Sequence, residues 1–153
     1  MDNRQVSRII SGQATADGAG VRLRRYIGSA ELDQIAPFLL LDLFESDNPD
    51  DYIAGFPSHP HRGFETVTYV LTGKVRHEDN AGHGGIIESG GIQWMTSGKG
   101  ILHKEYHEKN FSKKGGEMQM VQLWVNLPAK DKMTEPKYQN IENKDLAKVD
   151  LGS

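Results

Sequence analysis

His59-Pro60-His61-Arg62-Gly63-Phe64-Glu65 is the stretch that decides how this chain reads, and its counterpart farther along is His103-Lys104-Glu105. In an extended strand, residues i and i+2 point to the same face. Two imidazoles from one strand, with an imidazole and a carboxylate from another, therefore make four N/O donors that can converge on one point. Such a donor set suits a transition metal in the range where iron, nickel, copper, manganese and zinc compete. Pro60 holds its φ and lacks an N–H, so it belongs on an edge strand or at a strand's start, and it stiffens the two histidines around it.

Working outward, the rest of the chain is built from short β-type runs. Stretches rich in Val, Ile, Thr and Tyr recur between glycine clusters, and no long stretch keeps a helical period. Strands are expected at Val21–Tyr26, Phe38–Phe44, Glu65–Thr72, Lys74–Asp79, Gly85–Ser89, Ile92–Thr96 and Met118–Leu127, with turns at Thr72-Gly73, Gly90-Gly91 and Gly98-Lys99-Gly100. This is an all-β pattern, a sandwich or barrel. His59, His61, Gly63, Glu65, Val67, Tyr69 and Leu71 fall on alternate positions and are expected to form one inward face. Val121, Leu123, Val125 and Leu127 are expected to do the same in the last strong strand. From Pro128 onward the chain turns polar, which divides it into a barrel over 1–135 and a tail or linker over 136–153.

Composition narrows the function classes. The chain has 153 residues, one domain by size, with 17 glycines and a formal net charge of −3. That charge argues against nucleic acid or an anionic membrane as partner. No cysteine is present, so disulfides and thiolate ligands are excluded and a metal site must use His, Asp, Glu and water. The start of the chain lacks the apolar core of a signal peptide, and the apolar run Ile35–Phe44 is too short to span a bilayer. A soluble, cytoplasmic protein is expected. His77, His83 and His107 lie in or beside polar stretches and read as exposed loop histidines, and Lys109 with Lys113-Lys114 as a solvated turn. Glu65 has three roles open to it: a further ligand, an outer partner for a histidine N–H, or an interior carboxylate paired with a cation such as Arg62.

Three longer blocks, in order, carry a resemblance. They are His59 through Leu71, Gln93-Trp-Met-Thr-Ser-Gly-Lys-Gly-Ile-Leu-His103, and Gln122-Leu-Trp-Val-Asn-Leu-Pro-Ala-Lys-Asp-Lys-Met133, with Pro37-Phe-Leu-Leu-Leu-Asp42 upstream and Glu135-Pro-Lys-Tyr-Gln139 downstream. Together they resemble the pirin family of the cupin superfamily, over about Ile35 to Ile141. The resemblance implies a single-domain antiparallel cupin barrel, jelly-roll-like, holding one divalent transition metal. Iron(II) is favoured, with nickel, copper, manganese and zinc as alternatives. The ligands it implies are His59, His61, His103 and Glu105, leaving two of six positions open for substrate and oxygen.

Some pirins resemble quercetin 2,3-dioxygenases, so a flavonol such as quercetin is the implied substrate. Glu105 takes the proton of its 3-hydroxyl, or Glu65 accepts it from nearby. The alternative is a redox-sensitive regulator acting through protein–protein contacts, to which the acidic Glu45-Ser-Asp-Asn-Pro-Asp-Asp51 loop could contribute. Pirins carry two barrels and this sequence spans one. The face that a second barrel would cover is therefore expected to be apolar and to form a homodimer.

Overall fold

A computed structural model describes residues 5–150. Eleven strands form two antiparallel sheets. β1 (Gln13–Asp17), β2 (Val21–Ile27), β3 (Phe38–Ser46), β4 (Phe56–His61), β5 (Phe64–Thr72) and β6 (Lys74–Asp79) come first. They are followed by β7 (Gly84–Glu88), β8 (Ile92–Thr96), β9 (Ile101–His107), β10 (Met118–Asn126) and β11 (Lys137–Ile141), with one short helix, α1 (Lys109–Lys114), before β10. The larger sheet runs β1-β2-β3-β10-β5-β8-β11 and the smaller β4-β9-β6-β7. The all-β antiparallel expectation holds. Among the described residues no helix is long and apolar enough to cross a membrane.

The sheets face each other around an interior that is apolar at one end and polar at the other. Val21, Leu23, Phe44, Val70, Met118 and Met120 from the larger sheet meet Val75 and Ile87 from the smaller. Farther along the same strands the buried side chains become Thr66, Thr68, Gln93 and Gln122, facing His61, His77, His103 and Glu105. An interior that turns polar toward one end is costly unless something pairs with it. That end holds the site.

Three expectations need correction. The run from His59 to Leu71 is not one strand. Gly63, at φ +78°, is the corner between β4 in the smaller sheet and β5 in the larger, which resets the alternation. In β5 the buried residues are Thr66, Thr68 and Val70, while Tyr69 and Leu71 are exposed. In β10 Met118, Met120 and Gln122 are buried, and Val121, Leu123 and Val125 lie on the opposite, outer side. The outer faces of these strands are at least as apolar as the inner ones, which carry Thr66, Thr68 and Gln122, so hydrophobicity points the wrong way here.

The barrel also extends past residue 135, because Lys137–Ile141 pairs with β8 as the edge strand of the larger sheet. An edge strand exposed along most of its length shows no apolar run to announce it. The expected lysine turn is instead the helix α1, capped by the Glu108 carboxylate, which accepts from the N–H groups of Asn110 and Phe111. Pro60 does sit on an edge strand, β4.

Candidate metal centre

β4 and β9 are adjacent, and their register sets His59 directly opposite His103. His61 joins them, with ring centroids 4.7 Å from His59 and 4.6 Å from His103. The nitrogens these three rings offer all lie within 4.8 Å of one another. The Nε2 atoms of His59 and His103 are 2.9 Å apart. Two ligands at right angles on a metal, with bonds of about 2.1 Å, stand about 3.0 Å apart, and a tetrahedral pair about 3.4 Å. The observed spacing is short enough for both rings to hold one ion.

The protonation state fits as well. His59 Nδ1 lies 2.7 Å from the Pro57 carbonyl oxygen, a contact that requires the proton on Nδ1 and leaves the Nε2 lone pair facing His103 Nε2. Burial holds His61 down to about 3 and His103 down to about 2, with the neighbouring imidazoles adding to the effect, so both rings are neutral at physiological pH. Neutral, converging, preorganised imidazoles are what a divalent cation needs.

The cavity beside them has a volume of about 360 Å³. Phe56, Pro57, Leu40 and Trp124 give it apolar walls, and His59, His61, Glu105 and Gln122 give it polar ones. Trp124 stands edge-on to His61 at 5.3 Å. Buried Asp42 and half-buried Arg25 form an ion pair that also lines the cavity. A second cavity of about 350 Å³ lies at the β7–β8–β11 edge. It contains no histidine, so the metal chemistry belongs to the first.

Glu105 follows His103 on the same face of β9 and lines the histidine cavity, outside the set of three converging nitrogens. Its Oε2 lies 3.4 Å from Gln122 Nε2. Burial pushes its carboxyl up, while His59 and the Gln122 amide pull the other way. Glu65 sits elsewhere: its side chain alternates to the outer side of β5, and its Oε1 accepts from Thr96 Oγ1 at 2.7 Å.

Of the remaining histidines only His83 is exposed as expected, bonded through Nδ1 to Asp79 at 2.9 Å. His107 is half-buried, with its ring against Tyr52. His77 is buried in the interior at 1% exposure. Alternation with Val75 along β6 was the signal that could have placed it there.

His77 belongs to a group of buried polar atoms without a protein partner among the described residues. They are His61 Nδ1, His103 Nδ1, His107 Nδ1, both nitrogens of His77, both amide atoms of Gln93 and Tyr138 Oη. At about 1–3 kcal/mol for each unmet group, their cost would rival the whole stability of a domain, about 5–15 kcal/mol. Something other than the protein's own side chains must pair with them.

Comparisons with known proteins place the chain in a family. The family model described as Pirin matches residues 20–125. A pirin-like protein of Caulobacter vibrioides is 55% identical over 142 residues, covering 93% of this chain and 50% of that protein. A Pseudomonas aeruginosa protein provisionally named quercetin 2,3-dioxygenase is 51% identical over 147 residues, covering 96% of this chain and 50% of its own length. The crystal structure of a quercetin 2,3-dioxygenase from Acinetobacter baumannii superposes with a TM-score of 0.81 at 44% identity, covering 92% of this chain and 50% of that one. The chain thus spans about half the length of the relatives it matches. With a matched cupin-type barrel and the motif histidines at one cavity, the chain belongs to the pirin family.

Proposed function

We propose that this chain is the metal-binding barrel of an iron(II)-dependent dioxygenase acting on a flavonol such as quercetin. The observation that carries the reading is the convergence of His59, His61 and His103, the first two of which open onto a cavity of about 360 Å³ walled in part by Phe56, Pro57, Leu40 and Trp124. Cavities of this size and lining take small aromatic ligands.

When bound, a divalent metal supplies Lewis-acid activation of a hydroxyl group and a redox partner for dioxygen. The protein does the rest. His59, His61 and His103 would hold the ion, with Glu105 beside them as a fourth donor. Phe56, Pro57 and Trp124 stack against the flat ligand and exclude water. Glu105, with its carboxyl pushed up by burial, is the stronger base for it and accepts the proton of the flavonol 3-hydroxyl. Gln122, hydrogen-bonded to Trp124 Nε1 through its oxygen, directs its amide nitrogen at Glu105 and holds the carboxylate in place. Nickel and copper bind such donors at least as tightly as iron, so availability sets the ion loaded.

The test is the product. Iron(II)-loaded protein given quercetin in air is expected to open the ring with release of carbon monoxide. Full metal loading with no carbon monoxide and no loss of quercetin would overturn the reading.

One observation favours a second reading, a redox-sensitive regulator working through protein contacts. The outer side of the larger sheet is apolar across four strands, with Leu41, Leu123, Val67 and Trp94 in register, and Leu43, Val121, Tyr69 and Ile92 in the next row but one. Tyr69, Leu71 and Trp94 are each more than a third exposed. Such a face calls for a cover: under the regulator reading it seats a partner protein, and under the dioxygenase reading we propose a second copy of this barrel in that place. Turnover separates the readings, since a regulator needs only a partner affinity that changes with the metal's oxidation state.

A further inference from the structure

The polar half of the interior extends beyond the metal centre. His77 on β6, Gln93 on β8 and Tyr138 on β11 come from both sheets. Register brings them behind the histidines: His77 pairs with Glu105, and Gln93 with both Thr68 and Asn140. The Tyr138 ring stacks on His77 at 5.0 Å and 28°. His77 and Gln93 are 1% and 0% exposed.

These three side chains do not satisfy one another as they are placed. Both His77 nitrogens, both Gln93 amide atoms and Tyr138 Oη lack a partner among the described residues. Asn140 approaches His77 and raises its basicity against the effect of burial, yet closes no well-formed hydrogen bond. The Gln122 amide nitrogen is already directed at Thr68 and Glu105. The group contains donors and acceptors in balance and no fixed charge of its own. Water is the species with that complementarity, and buried polar groups of this kind are where it binds.

His103 needs such a partner. A metal-bound imidazole is oriented by the hydrogen bond its other nitrogen donates. His59 obtains it from the Pro57 carbonyl, whereas His103 Nδ1 is buried and unpartnered. His77 lies across the β6–β9 ladder from Glu105, one side-chain place along the same face from His103. We propose that His77, Gln93 and Tyr138 bind a small cluster of ordered water molecules behind the metal centre, and that this cluster accepts the Nδ1 proton of His103 and fixes the ring with Nε2 toward the metal. The three are positioning residues, and the inference rests on reading His59, His61 and His103 as metal ligands.

Two measurements test it. High-resolution crystals of the metal-free and metal-loaded protein are expected to show ordered water within about 3.2 Å of His77, Gln93 and Tyr138. A dry interior overturns the cluster. Tyr138→Phe, Gln93→Met and His77→Met are then compared with His77→Gln, which keeps a donor and an acceptor. The readouts are metal affinity by chelator competition and, with copper(II) bound, the spin-echo signature of the remote imidazole nitrogen. The first three are expected to weaken affinity about tenfold and alter that signature, and His77→Gln to restore most of both. Tyr138→Phe removes a single oxygen, so the fold is kept and the comparison stands. Unchanged affinity and signature overturn the positioning role. An unvaried protein that binds no metal overturns the metal reading and the positioning role with it, while the density in metal-free crystals decides the water cluster separately.

Discussion

Arg25 meets Asp42 in the wall of the histidine cavity through two parallel hydrogen bonds, Nε to Oδ1 at 2.9 Å and a terminal nitrogen to Oδ2 at 2.8 Å. The same guanidinium reaches Asp17 at 2.8 Å. Asp42 is 2% exposed, and burial pushes its carboxyl up more than Arg25 pulls it down. The pair is thus held against a large desolvation cost. Arg25→Met strands that carboxylate and is expected to lower stability by about 3–5 kcal/mol in urea unfolding. Arg25→Met combined with Asp42→Leu is expected to recover most of the loss. A single substitution costing well under about 1 kcal/mol would show that the pair is not buried as described.

Removing one imidazole tests the ligand set. His59→Ala and His103→Ala are each expected to weaken metal binding by at least about 100-fold in chelator competition, more than the loss of an outer partner would cause. His83→Ala, at an exposed histidine outside the set, is expected to leave it unchanged. Equal effects from all three would contradict the assignment.

Glu105→Gln keeps the shape and removes the base. Turnover of a flavonol is expected to fall about 10²–10⁴-fold while the ligand still binds. Glu65→Gln, on the outer side of β5, is expected to leave turnover near its original rate. Reversed effects would return the proton to Glu65.

Acid is expected to destabilise the metal-free protein well before its carboxylates titrate. Burial lowers His61 to about 3, His103 to about 2 and His107 to about 4, and lowers His77 as well. The unfolded chain takes up these protons near the ordinary value of 6.5, ahead of the folded chain. Their contribution is complete above that pH and is lost as pH falls through the window toward the folded values, by up to about 1.4 kcal/mol per pH unit for each histidine. Glu105 and Asp42, both raised by burial, work in the opposite sense, but they are two carboxyls against four imidazoles. Urea midpoints measured with chelator present should drop between pH 7 and pH 5. A flat or rising profile would contradict the burial of these rings.

The apolar outer side of the larger sheet is expected to drive self-association at micromolar concentration, measured by light scattering. Trp94→Lys and Leu123→Lys should shift the protein toward monomer without loss of fold, since both lie on the outer side. A monomeric unvaried protein would leave that face uncovered and count against the second copy.

Much of this was legible in the residues. His59, His61 and His103 announce themselves because two strands with i, i+2 donors have few other uses. The glycine-bounded Val, Ile and Thr runs gave seven strands close to their observed limits. What could not be read was which way the strands face. Thr66 and Thr68 turn inward while Val67 and Tyr69 turn outward, the reverse of the usual preference, because the interior is polar at this end and the exterior apolar. Nor did β1 and β11 show themselves, since edge strands with little burial carry no periodic signal. His77 was hidden by its charged neighbours Arg76 and Glu78, which face outward on the same strand.

Oxygen uptake with quercetin, on iron(II)-loaded protein of known metal content beside His61→Ala, tests the central claim most directly. Uptake in proportion to bound metal, abolished by the substitution, is the result expected of a dioxygenase centred on these histidines. One bound metal per chain with no uptake, or equal uptake by His61→Ala, would contradict it.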